Sequence, residues 1–291
     1  MLKKSFQIIG LILLICFSFF YTEKVVMVVN NQDPLMIKIK EYGEVFNIES
    51  VDAITSGNSV IPGINACVVD TNESYSNMKR IGSYNENMIE YKEIKPKLSL
   101  DKTYDKYIIK GNKKGFEVAL VFKVRDSSYI LEIANFLQKK GIKASFFVDG
   151  KQIEEDSQNI YVLINNDNEI YNLGYDGKYN KDLLIWTNNM IENMSKNIPK
   201  YCIVSKEDEK VIDMCADNKM YTIKSSVEIN YNTTFNDVKS KIEKGSIIVF
   251  DTNNKTIDEL SKTILFLNSK GYNYNLLSDH LSEKGCNFKK K

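Results

Sequence analysis

The feature that most limits what this chain can fold into is a regular alternation that begins at Glu117. Val118 to Phe122 is an unbroken apolar run, the pattern of a parallel strand buried on both faces. Ile130, Ile133, Ala134 and Leu137 then recur at the spacing of one helix face, and Gly141 stands where a left-handed residue would end that helix. Ala144 to Val148, Tyr201 to Val204, Tyr221 to Ser225, Ser246 to Phe250 and Tyr272 to Leu276 read as further strands, with Glu169 to Tyr171 extended. Between them lie helical patterns. One carries Leu183, Met190 and Met194, one runs from Glu207 to Asp217, and one carries Ile257, Leu260, Ile264 and Leu267. Strands alternating with helices of this length form βα units and a parallel sheet or barrel. The succession suits an irregular (β/α) barrel, in which chemistry sits on loops after the strands.

Upstream the pattern is less regular. Lys3 and Lys4 precede eighteen uncharged residues, Ser5 to Thr22. About 20 residues cross a bilayer, so residues 1–22 read as an uncleaved single-pass membrane anchor, with a cleaved signal as the alternative. Lysines before the span and Glu23 after it place the bulk of the chain outside the cytoplasm, either anchored or secreted. Val25 to Asn30 reads as a strand, and Pro34 opens a helix that Gly43 stops. Residues 23–112 read as a small α+β region of unassigned role, and residues 113–291 as the barrel domain. Cys67, Cys202, Cys215 and Cys286 match no dense disulfide framework and no CxxC metal site, so they read as isolated buried thiols.

The chain has one histidine, His280, which removes any site built from two imidazoles. With 39 basic and 38 acidic side chains there is no basic excess that would suggest nucleic acid. The carboxylates near strand ends are Asp126, Asp149, Asp176 and Asp251. Asp126 before two serines reads as a helix cap, and Asp149-Gly150 and Asp176-Gly177 read as turns. Tyr171, Tyr175 and Trp186 are the candidate sugar-stacking surfaces, with ordinary packing as the competing reading.

VALVFKVRDSS, KKGIKASFFVDGKQIE, NEIYNLGYDGKYN, NIPKYCIVS, EKGSIIVFD and LNSKGYNYNLLSDHL, in that order, resemble the polysaccharide deacetylase family, the NodB-homology domain. The resemblance runs from about Gly115 to Leu281 and is strongest at Gly141 to Gly150. It implies an irregular (β/α)7-type barrel that removes acetyl groups from chitin-like or peptidoglycan sugars with zinc or another divalent metal. Carried over residue by residue, it places Lys123 at the catalytic-base aspartate and Val124 at the metal-binding aspartate. It places Leu173 and Gly177 at the two metal histidines, and Asp251 at the late histidine. His280 matches none of these positions and reads as an exposed surface residue.

Without ligands a metal is not held, and without the metal a bound water is not acidified. No cofactor is therefore expected. Three readings stay open. The first is a pseudoenzyme at the cell envelope that binds cell-wall polysaccharide or an envelope protein. The second is an active deacetylase with a metal site rebuilt from Asp126, Asp176 and Asp251, oxygen ligands that favour harder ions than zinc. The third is an interaction protein that works through residues 23–112.

Overall fold

The computed structural model describes residues 2–112 and 115–286; the side chains of residues 2–8 and 22–28 lie outside that description. The chain forms two compact units. One comprises Met1–Ser50, Asn65–Ile94 and Gly285–Lys291, and the other Val51–Ile64 and Lys95–Lys284.

The expected division at residue 112 therefore does not follow the contacts. Ile54–Ser56 pairs with Ser59–Ile61, which runs parallel to Tyr107–Ile108, which in turn pairs with Tyr221–Ile223. Segments that look like linker in one dimension supply edge strands to the second unit.

In the first unit, Leu2–Asn31 is a 30-residue helix. Val25–Asn30 is thus its last turns and not a strand; helical continuity overrides the β-branched composition. The anchor expected over residues 5–22 falls partly on side chains outside the described set. Among the described residues no helix is long and apolar enough to cross a membrane. Pro34–Phe46 is a helix with Asp33 as its cap: the Asp33 carboxylate accepts from Leu35 N at 2.9 Å and from Tyr75 Oη at 2.7 Å. The helix runs past Gly43, which is buried on the face toward Val69. Met36 and Ile39 from this helix meet Tyr75 and Met78 of the Thr71–Lys79 helix and Val69 of an antiparallel strand pair, Ala66–Val69 with Tyr91–Ile94. Cys67 and Cys286 form a disulfide within this unit.

In the second unit, two sheets share one core. The larger orders Val227–Ile229, Ile247–Asp251, Glu117–Val124, Ser145–Val148 and Glu169–Asn172, all parallel; Asn273–Asn275 also pairs with Glu117–Val124. The smaller ends in Tyr221–Ile223 and Tyr201–Ile203. The two sheets face each other across a shared cluster that includes Val60, Ile108, Ala119, Val121 and Ile223, the barrel-like arrangement that the sequence suggests. Alternation along Glu117–Val124 decides what each side chain meets. Val118, Leu120, Phe122 and Val124 pack outward on the helices Ile130–Lys140 and Thr256–Ser269. Ala119 and Val121 face inward, with Phe147, Tyr201, Ile223 and Val249. Lys123 shares their parity and points into the barrel.

Three further expectations are corrected. The Lys181–Ser195 helix buries Leu184, Thr187 and Ile191, one step round from the expected Leu183. Cys202 and Cys215 are paired, joining Tyr201–Ile203 to the Glu209–Asp217 helix. His280 is not on the surface: it is 5% exposed, and its Nε2 donates to Gly245 O at 2.8 Å. Gly111 is required beside it, because a Cβ there would come within 2.7 Å of that nitrogen.

Burial pushes the His280 pKa down, and the bond to Gly245 only partly offsets this. The neutral ring in the fold and the protonatable ring in the unfolded chain fix the sign. Stability is full above the unfolded imidazole pKa, about 6.5, and falls below it by at most about 1.4 kcal/mol per pH unit. Thermal unfolding between pH 7.5 and 5 will show this fall, and His280→Leu will flatten it. An unchanged pH profile in the variant would assign the fall to other groups.

Candidate functional site

The strand ends that carry chemistry in a parallel barrel open here onto a cleft of about 590 Å³. Its floor is apolar: Leu173, Tyr179, Ile203, Val211 and Met214. The Tyr179 hydroxyl is tied down, donating to Asn172 O at 2.9 Å and accepting from Ile203 N at 3.1 Å. Burial pushes the Tyr179 phenol pKa up, so it stays neutral.

Lys123 stands at the base of the cleft. It is 1% exposed, and its ammonium donates to Glu228 Oε1 at 2.5 Å and Ser205 Oγ at 2.6 Å. Ser205 Oγ also donates to Glu228 Oε1 at 2.9 Å. A buried ammonium is tolerated only with such partners. The triad is closed on itself. A serine nucleophile needs a base that is free to take its proton, and Glu228 is already neutralised by Lys123.

Of the four family metal and base positions, Lys123, Leu173 and Gly177 line this one cleft. Val124 does not: it is fully buried in the outer core, on the opposite face of its strand. At Gly177 the Arg125 guanidinium lies 3.8 Å from where a Cβ would project. Arg125 also reaches Asp251 at 3.6 Å, a partly exposed pair of small energetic weight. Cationic side chains thus stand at Lys123 and beside Gly177, two of the positions to which the resemblance assigns the base and a metal ligand.

The carboxylates do not rebuild a metal site. Asp126 caps the turn at Ser128 N, at 2.9 Å. Asp176 has a left-handed backbone and pairs with Lys151 at 3.1 Å. Asp251 holds Arg125, and none of the three lines the cleft. Among the described residues no three His, Cys, Asp or Glu side chains group as metal ligands. Lys123 and Arg125 add cationic charge to a cleft whose lining acids, Glu207 and Asp208, do not group with a third ligand among the described residues.

The aromatic candidates separate. Tyr171 is 7% exposed and packs edge-on to Tyr201 within the barrel core, with ring centroids 5.0 Å apart; burial pushes its pKa up. Most of its ring is therefore committed to the core. Tyr175 and Trp186 meet edge to face at 5.5 Å, outside the cleft lining. The Tyr175 hydroxyl donates to Glu154 at 2.6 Å, and that bond pushes its pKa up to about 12.

Asp149 is the residue that sequence reasoning undervalued. It is 3% exposed and caps the Gly150–Glu155 helix through Lys151 N at 3.0 Å. It also accepts from Asp176 N at 2.9 Å and Gly177 N at 2.8 Å. A strand-end Asp-Gly reads as a turn, and neither the helix it caps nor the second loop it holds is visible locally. Asp149→Ala will cost about 2 kcal/mol and raise amide hydrogen exchange at Asp176 and Gly177. Unchanged exchange there would show that the loop is held by other contacts.

No protein-family profile matches the chain. A crystal structure of wild-type BA3943 from Bacillus anthracis, described as a CE4 family pseudoenzyme, is similar over 87% of this chain and 96% of its own, at 25% identity and TM-score 0.64. The chain is a degenerate relative of the polysaccharide deacetylases. The Bc1960 peptidoglycan N-acetylglucosamine deacetylase shares the fold over 61% of this chain and 94% of its own, at 22% identity and TM-score 0.54. The Bacillus subtilis protein YlxY, described as uncharacterized, is 26% identical over 277 residues, which span 89% of this chain and 86% of YlxY. Against this deacetylase-like background, the Lys123–Glu228–Ser205 cluster is where the chain departs from a metal site.

Proposed function

We propose that this protein is a deacetylase-like pseudoenzyme of the cell envelope that binds wall glycan in its strand-end cleft without hydrolysing it. The observation that carries the reading is Lys123, whose buried ammonium is locked to Glu228 and Ser205 where the resemblance puts the base aspartate. The structural likeness to BA3943 supports it. A mutant of BA3943 is described as having restored enzymatic activity, which is consistent with loss of chemistry on an intact scaffold in that protein.

Localisation is part of the proposal. The apolar stretch over residues 5–22 supports a single-pass anchor, or a secreted form if it is cleaved. Two disulfides fit an oxidising compartment. Incubation of the purified chain with peptidoglycan or chitooligosaccharides and zinc, cobalt or manganese is expected to release no acetate while the glycan is retained on pull-down. Metal-dependent acetate release would overturn the reading, and absence of any glycan retention would remove its binding half.

A further inference from the structure

The cleft has a cationic rim over an apolar floor. Its lining includes Lys178, Lys206, Lys210, Arg125, which also reaches Asp251 at 3.6 Å, and Lys123, which is committed to Glu228 below the rim, against two acids, Glu207 and Asp208. Both acids are committed. Glu207 pairs with Lys224, and Asp208 caps the Glu209–Asp217 helix by accepting from Lys210 N and Val211 N. Lys178, Lys206 and Lys210 are exposed and extend their ammonium groups on flexible stems. Arg125 adds a planar fork beside Gly177, suited to a carboxylate. Below the rim, Tyr179, Val211 and Met214 offer a surface that the apolar faces of sugar rings can cover.

A neutral glycan would use the floor and leave the rim charges without partners. A small inorganic anion would use the rim and leave the floor bare. A chain of sugars with carboxylates at intervals engages both. We infer that the cleft is a binding site for an anionic, carboxylate-bearing polysaccharide segment, with Arg125, Lys178, Lys206 and Lys210 as its charge-recognising residues. This rests on the glycan-binding reading above and specifies which class of glycan the cleft takes.

Isothermal titration of the full chain with a hyaluronan hexasaccharide, chitohexaose and a twelve-nucleotide deoxythymidine strand tests it. Hyaluronan is expected to bind at least about tenfold more tightly than chitohexaose, and to weaken about tenfold as screening rises from 50 to 500 mM salt. The variant Lys178→Gln/Lys206→Gln/Lys210→Gln changes only exposed side chains, keeps the native circular dichroism, and is expected to lose about tenfold in hyaluronan affinity. Equal, salt-insensitive binding of both sugars would overturn the inference and leave the glycan reading standing. Failure of both sugars to bind would overturn both. Equal binding of the deoxythymidine strand, or undiminished binding by the triple variant, would overturn the inference by showing a nonspecific surface or a different site.

Discussion

Lys123→Ala will destabilise the second unit by about 3–5 kcal/mol, the cost of leaving one partner of a buried pair uncompensated. Glu228, 15% exposed at its side chain, would lose the ammonium that meets it at 2.5 Å. Ser205 alone would remain to hydrogen-bond the carboxylate. The double variant Lys123→Met/Glu228→Leu will recover most of the loss, because replacing both charges by apolar groups of similar size removes the desolvation penalty with the attraction. Lys123→Asp will be worse than alanine, since it sets a second carboxylate against Glu228. A carboxylate at position 123 therefore requires changing Glu228 as well. The readout is urea unfolding followed by Trp186 fluorescence: Trp186 is the single tryptophan and lies in the second unit. A loss below about 1 kcal/mol for Lys123→Ala would mean that the pair is solvated, and the closed triad would no longer account for the site.

What the sequence made legible follows from the range of the interactions. The strands at Val118–Phe122 and Ala144–Val148 and the stripe at Ile130–Leu137 were readable because burial acts within a few residues of chain. That Lys123, Leu173 and Gly177 carry no metal-binding side chain is readable in the sequence because it is a matter of residue identity. The partners that Lys123 takes are not. Glu228 lies 105 residues from Lys123 and Ser205 lies 82, and nothing in the local pattern links them. The burial of Val124 in the outer core is not legible in the motif, which assigns a column and not a strand face. His280 sits among Ser278, Asp279 and Ser282 and looks exposed; Gly111 and Gly245, distant in sequence, lie against its ring. Which face of the extended Glu169–Tyr171 segment Tyr171 takes is also set at a distance, by its register with Phe147.

The disulfides were illegible for the same reason, and they carry the second large effect. Cys67 and Cys286 are 219 residues apart, so their bond closes a very long loop, whereas Cys202–Cys215 closes one of 13. In the chain-entropy account, the first bond restricts the unfolded state by about 5 kcal/mol and the second by about 3. Cys67→Ser/Cys286→Ser will act on the first unit. Cys67 lies in the Ala66–Val69 strand, and Cys286 N donates to Glu93 Oε1 at 3.2 Å on the partnering strand. Freed from its tether, the segment ending in Cys286 can leave that pair, and hydrogen-exchange protection will fall across residues 66–69 and 91–94. Cys202→Ser/Cys215→Ser will act on the cleft, because nine lining residues from Ile203 to Met214 lie inside that loop. Protection will then fall at Ile203 and in the Glu209–Asp217 helix, with the first unit unchanged. Exchange that rises over the whole chain in either variant would mean that the bonds stabilise only through the unfolded ensemble; the separate response of cleft and first unit requires that each also orders its own native segment.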